Sequence, residues 1–206
     1  MPQPIRLYLD FASPYAYFAL DPLARLAERH GRALEIRPIL LWAILKANGI
    51  GNPMEKPARR SYFIQDMNRS AAFFGVPFNM PEPLQISAHQ AARLYYAHTA
   101  DHPDAALDLV RQIYDAFLVR GQDITDPATL ARLPMFAAMD TEAVGALIQG
   151  PVGRQRLADA VDEAIAIGVI GSPFTIIDGE GFFGADRLPQ IEWRLEQAAQ
   201  AAAGGR

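Results

Sequence analysis

Ser13 lies where a short apolar run meets a proline, in Leu7-Tyr-Leu-Asp-Phe-Ala-Ser-Pro-Tyr15. The alternation from Ile5 to Leu9 reads as a strand, and Pro14 suits the first position of a helix, where no amide partner is needed. Ser13 is then the N-cap. A serine there ordinarily accepts a hydrogen bond from an amide two or three residues on. The same place is also an anion site, because free amides and the positive end of the helix converge on it. No nucleophile-elbow glycines and no Ser/His/Asp arrangement accompany Ser13, so it reads as a hydrogen-bond donor rather than a nucleophile.

A second stretch, Gly168-Val-Ile-Gly-Ser-Pro-Phe-Thr-Ile-Ile-Asp178, runs from a helix end through Pro173 into a β-branched strand. Together with the Asp-Phe-x-Ser-Pro-Tyr phrase it resembles the thioredoxin-like fold, in which the residue before a cis-proline faces the active site. More narrowly, the chain is similar to the branch that holds 2-hydroxychromene-2-carboxylate isomerases and kappa-class glutathione transferases, relatives of DsbA-type oxidoreductases. The resemblance covers nearly the whole chain. One departure is informative: there is no cysteine, so a Cys-x-x-Cys redox pair, a disulfide or a thiolate metal site is excluded. The resemblance implies that the thiol comes from bound glutathione and that Ser13 donates to its sulfur. A hydroxyl donor at a helix start favours thiolate over thiol.

The same resemblance implies where the rest of glutathione would bind. In Asn48-Gly-Ile-Gly-Asn-Pro-Met-Glu-Lys-Pro-Ala-Arg-Arg60, Asn52, or Asn48 with a small shift, matches the family's asparagine. Arg59 stands where a lysine usually meets a glutathione carboxylate, and arginine keeps the charge while offering a bidentate fork. Ser172, before Pro173, would pair its backbone with the cysteinyl unit in strand fashion. Gly184-Ala-Asp-Arg-Leu188 matches a turn in which Asp186 meets the γ-glutamyl ammonium. Ala185 there has lost a side-chain donor and leaves only backbone amides. Asp186 is equally well read as an ordinary N-cap.

The elements that position these residues follow from periodicity. Strand 5–10, a helix from Pro14 with a kink or restart at Asp21-Pro22, and strand 34–41 form one βαβ unit, which makes the strands parallel. From Trp42 to about Ile167 no strand is expected; helical spacing recurs in 59–74, 84–100, 104–120, 127–138, 141–149 and 152–167. Phe174–Asp178 and Phe182-Phe183, joined by Gly179-Glu-Gly181, form a hairpin before a last helix near Asp186. The Ala-rich tail after Gln197 reads as a frayed helix end. The fold class is therefore α/β: a thioredoxin-like four-stranded mixed sheet, residues 1–41 and 168–206, interrupted by an all-helical insertion, 42–167.

Two motifs mislead. Gly179-Glu-Gly-Phe-Phe-Gly184 has dinucleotide-binding spacing, but aromatic residues follow where that fingerprint needs a helix. His98 and His102 have zinc-ligand spacing, but Pro103 ends their helix and no third ligand is suggested, so no metal is expected. The 206 residues are 50% hydrophobic, ample for a core, and a net charge of −4 offers nothing to nucleic acid or anionic membranes. Neither a basic-then-apolar leader nor a run long enough to span a membrane is seen, so the cytoplasm is the expected location. The function the resemblance implies is glutathione-dependent isomerisation of a small aromatic substrate of the hydroxychromene-carboxylate type. A kappa-like transferase or a non-catalytic thioredoxin-like binding module are the alternatives. Phe11, Tyr15, Trp42, Tyr62 and Phe63 are candidates for the wall around an aryl group. Kappa-class relatives are dimers, and Phe73, Phe74, Tyr95, Tyr96, Tyr114 and Phe117 exceed what one helical layer needs, which predicts a homodimer whose active site is roofed by the helical insertion, some of these residues facing a substrate cavity or the partner.

Overall fold

A computed structural model describes residues 3–204. Four strands, β1 (Ile5–Leu9), β2 (Leu34–Pro38), β3 (Phe174–Ile177) and β4 (Glu180–Phe183), form one sheet in the order β2-β1-β3-β4. β1 runs parallel to β2, with Ile5 opposite Leu34, and antiparallel to β3, with Leu7 opposite Thr175. β3 and β4 are the hairpin, and the chain is of the expected thioredoxin-like class.

Alternation along β1 divides its side chains between the two faces of the sheet. Ile5, Leu7 and Leu9 are fully buried on one face. On the other, the Tyr8 hydroxyl donates to Glu163 and Arg6 pairs with the same carboxylate. Glu163 belongs to α8 (Pro151–Ala166), which packs against β2 and against α4 (His89–His98). The Tyr95 and Tyr96 hydroxyls of α4 donate to the Ile36 and Pro38 carbonyls at 3.0 and 2.9 Å. Those carbonyls lie on the outer strand of the sheet, so two tyrosines cap a row of acceptors that would otherwise be open to strand pairing.

The first helix, α1 (Pro14–Arg29), does not restart at Pro22. An interior proline removes one amide from the ladder. Here the buried face of Phe18, Ala19, Leu20, Leu23, Leu26 and Ala27 continues across that point and outweighs the loss. A short helix that periodicity does not announce, α2 (Leu41–Ala47), follows β2 and buries Ile44. Then come α3 (Pro57–Phe74), α4, α5 (Ala106–Tyr114) with a π-helical continuation over Asp115–Val119, α6 (Pro127–Ala131) and α7 (Thr141–Gln149) before α8. α4 begins at His89 rather than near 84, because Pro81-Glu82-Pro83 keeps the preceding chain irregular. α6 stops at Ala131 where Pro134 denies it further turns. The last helix, α9 (Leu188–Gly204), continues through the Ala-rich stretch after Gln197 instead of fraying there.

Between β2 and β3 the described residues form helices and loops only. One buried cluster joins sheet residues such as Leu7 and Ile36 to Tyr95, Ile113, Tyr114 and Phe136 from these helices. Tyr95, Tyr96, Tyr114 and Phe117, expected to face a cavity or a partner, are core; Phe73 alone of the six is largely exposed, at 82%.

Candidate active site

Ser13 has extended backbone angles, φ −99° and ψ 108°, and precedes α1 as its N-cap. Its Oγ accepts from the Ala16 amide at 3.4 Å, a long bond, and donates to the Ser172 carbonyl at 2.9 Å. The Ser172–Pro173 peptide is cis. The two motifs singled out by sequence therefore meet. Asp10 ties them further: its amide donates to Ser172 Oγ at 2.8 Å, and its carbonyl accepts from the Ser13 amide at 2.9 Å. Gly171, beside them, has no room for a Cβ, because the Phe183 ring fills that space.

These residues form the floor of a cleft of about 730 Å³. Its walls come from α2 (Trp42, Leu45, Lys46), the following loop (Ile50, Asn52, Met54), α3 (Arg59, Phe63, Met67), residues 84–86, Ile170 and Phe183. Apolar side chains line most of it. Arg59 is exposed and has no ion-pair partner among the described residues, so its charge is free for a ligand. Tyr15 also borders the cleft and donates to Asp66 at 2.6 Å; burial first, then Asp66, pushes that phenol well up, so it stays protonated. Burial acts to raise the Asp66 carboxyl, but hydrogen bonds from Tyr15 and Arg69 more than offset it and hold it below the usual range.

Of the residues that sequence nominated, Ser13, Asn52, Arg59 and Ser172 line this cleft, and Pro173 adjoins it. Asn52 Oδ1 accepts from the Met54 amide and from Gln85, whereas Asn48 Nδ2 donates to the Ile44 and Val169 carbonyls. Ala185 and Asp186 are not brought to the cleft. They line a separate pocket of about 800 Å³ with Arg25, Phe73, Leu188 and Glu192, where Asp186 pairs with Arg187 at 2.5 Å. Phe183, two residues before Ala185, does line the cleft. Among the aromatic candidates Tyr15, Trp42 and Phe63 line the cleft; Phe11 is core against Tyr114, and Tyr62 projects to solvent. His98 is half-buried, its ring tilted against that of His102 with centres 4.7 Å apart and set edge-on to Phe136. Burial lowers its pKa, and no three potential metal ligands converge among the described residues.

Sequence reasoning missed Asp10, Lys46 and the methionines. Asp10 was visible inside the Asp-Phe-Ala-Ser-Pro phrase, and its type, an acid at the end of an apolar strand, was the available signal. Lys46 could not be placed without α2.

As assembled, the site offers a hydroxyl donor, the amide and carbonyl of the residue before a cis-proline, two cations, Arg59 and Lys46, and an apolar wall. That donor set suits a peptide-like anion next to a flat apolar molecule.

The model of the DSBA-like thioredoxin domain family matches residues 4–196. The 2-hydroxychromene-2-carboxylate isomerase of Sphingobium xenophagum is 30% identical over 194 residues, covering 93% of this chain and 97% of that protein. Glutathione S-transferase kappa 1 of Homo sapiens is 25% identical over 200 residues, 91% of this chain and 88% of that one. In structure, the chain resembles a 2-hydroxychromene-2-carboxylate isomerase with a TM-score of 0.83, 22% identity and 98% of each chain covered. It also resembles the cytosolic disulfide reductase DsbM from Pseudomonas aeruginosa with GSH, with a TM-score of 0.67, 18% identity, and 97% and 99% covered.

Proposed function

The chain belongs to the DSBA-like thioredoxin domain family, and from that premise we propose that it is a glutathione-dependent enzyme that isomerises a small aromatic substrate of the 2-hydroxychromene-2-carboxylate type. The observation that carries the reading is the Ser13 hydroxyl, seated on the Ser172 carbonyl at the foot of an apolar cleft. Membership in the family, with isomerases and glutathione transferases as relatives, supports an enzyme. The zero cysteine count removes the redox chemistry of its other branch.

The cleft fits glutathione by the chemistry of its donors. Ser172 presents an amide and a carbonyl to the cysteinyl unit, Arg59 presents a cation to a carboxylate, and Asn52 adds a polar side chain near it. Ala185 and Asp186 would receive the γ-glutamyl end across the Phe183 rim. When bound, glutathione would supply a thiolate that adds reversibly to a conjugated carbon, so that a double bond can rotate before elimination returns it unchanged. Ser13 lowers the cost of holding negative charge on sulfur by donating to it. Trp42, Phe63 and Ile170 exclude water and hold the aryl face. Tyr15, kept protonated, adds no charge of its own.

Calorimetry with glutathione is the direct test of the site. Binding that competes with S-methylglutathione supports the reading, and absence of binding removes it. In this proposal the protein acts in the cytoplasm as a homodimer, with residues 42–167 as an insertion that roofs the site and the exposed Phe73 as part of the contact. No described helix is long and apolar enough to cross a membrane. Light scattering at micromolar concentration is expected to give twice 22.6 kDa, and the monomer mass would contradict the dimer.

A further inference from the structure

The proposed chemistry leaves Asp10 unused, although it is the ionisable group most tightly built into the site. It is 4% exposed, and no cationic group among the described residues bonds it. Its side chain joins two elements instead: Oδ1 accepts from the Ala12 amide at 2.8 Å and Oδ2 from the Leu41 amide at 2.6 Å. Its main chain joins three more groups, Ser172 Oγ, the Ser13 amide and the Tyr114 hydroxyl, the last at 3.0 Å on its carbonyl.

Burying a carboxylate without a cation is costly, and two amide bonds offset part of that cost. Asparagine would be easier to bury, but its Nδ2 cannot accept, so either Ala12 or Leu41 would lose its acceptor. Leu40, the residue before α2, contributes no side-chain cap. Asp10 therefore caps α2 from across the fold, and α2 is the element that brings Trp42, Leu45 and Lys46 to the cleft.

We infer that Asp10 is a positioning residue whose carboxylate clasps the Ser13 turn to the start of α2, and so fixes the Ser13 hydroxyl relative to the wall that α2 provides. The consequence for catalysis rests on the glutathione reading; the clasp itself does not.

Burial pushes Asp10 up to about 6, with the Leu41 and Ala12 amides pulling the other way. Tyr114 faces it from α5 and stays protonated because burial raises its phenol. Lys46 from α2 and Arg59 from α3 are the charged groups that share the cleft. At neutral pH the clasp is ionised and accepts both amides. As pH falls through about 6 one oxygen becomes a donor with no acceptor opposite it, and the clasp opens.

The test is a pH titration of the ¹⁵N-labelled full chain without ligand. The Ala12, Leu41 and Ser13 amide resonances are expected to move together with one midpoint near 6, and to stay still in Asp10→Asn. Separate midpoints, or no movement between about pH 4 and 8, overturn the clasp, and the wild-type titration alone decides this if the variant fails to fold. With glutathione as probe, Asp10→Asn is expected to raise the bound thiol pKa while Kd changes by less than about threefold. An unchanged thiol pKa overturns the positioning role. Failure of glutathione to bind the wild type sinks the functional reading instead, and the three amides still judge the clasp.

Discussion

Ser13→Ala is expected to raise the pKa of the thiol in bound glutathione by about one to two units and to slow turnover about ten- to a hundredfold. A hydrogen bond to a charged partner contributes about 1.5 to 3 kcal/mol, and one pKa unit is about 1.4 kcal/mol. In the structure Ser13 is 5% exposed and its hydroxyl donates to the Ser172 carbonyl. A sulfur anion placed beside it takes over that hydrogen, and the carbonyl can accept the cysteinyl amide in exchange. The variant also loses an N-cap, at about 0.5 to 2 kcal/mol of stability, so melting must be followed alongside. Here the cap bond is long, 3.4 Å, which puts the loss at the low end. Ser13→Thr, which keeps the hydroxyl, should restore the thiol pKa. Thiolate absorbance across pH reads both variants; an unchanged pKa in Ser13→Ala takes Ser13 out of the chemistry.

Arg59→Ala is expected to weaken glutathione binding about tenfold. A charge-assisted bond of 1.5 to 3 kcal/mol corresponds to roughly ten- to a hundredfold, and the exposure of Arg59 puts the effect at the lower end through solvent screening. Raising the salt concentration should shrink the difference, because the Debye length falls to about 3 Å at 1 M. Arg59→Lys keeps charge without the fork and should fall between. Asp186→Ala is expected to cost at most about fivefold, since that carboxylate is exposed, already paired with Arg187 and lines a separate pocket. Calorimetry showing wild-type affinity in Arg59→Ala would mean that the cation faces no ligand.

What the sequence disclosed, and what it hid, follows from the range of the interactions. Ser13-Pro14 and the 174–183 hairpin are local signals, set by capping and turn chemistry within a few residues. The parallel pairing of β1 and β2 follows from the helix between them. α2 stayed hidden because its cap, Asp10, lies 31 residues away, and no local residue announces the start. Pro22 looked like a break because its neighbours' burial is a tertiary fact that outweighs propensity. Phe11 and Tyr114 looked like candidates for a wall or an interface because aromatic spacing cannot tell a core ring from a cleft ring. Asp186 matched a family turn in type and spacing, yet only the fold reveals that it lines a pocket separate from the cleft at Ser13.

If the thiol is borrowed and returned, glutathione is not consumed. The most direct measurement follows loss of an arylidene-pyruvate or hydroxychromene-carboxylate substrate and total free thiol in one cuvette, with and without glutathione. Many turnovers are predicted for each glutathione present, with no fall in free thiol and no reaction when glutathione is omitted. Loss of one thiol per substrate consumed would make the protein a transferase, and undiminished turnover without glutathione would contradict the account outright.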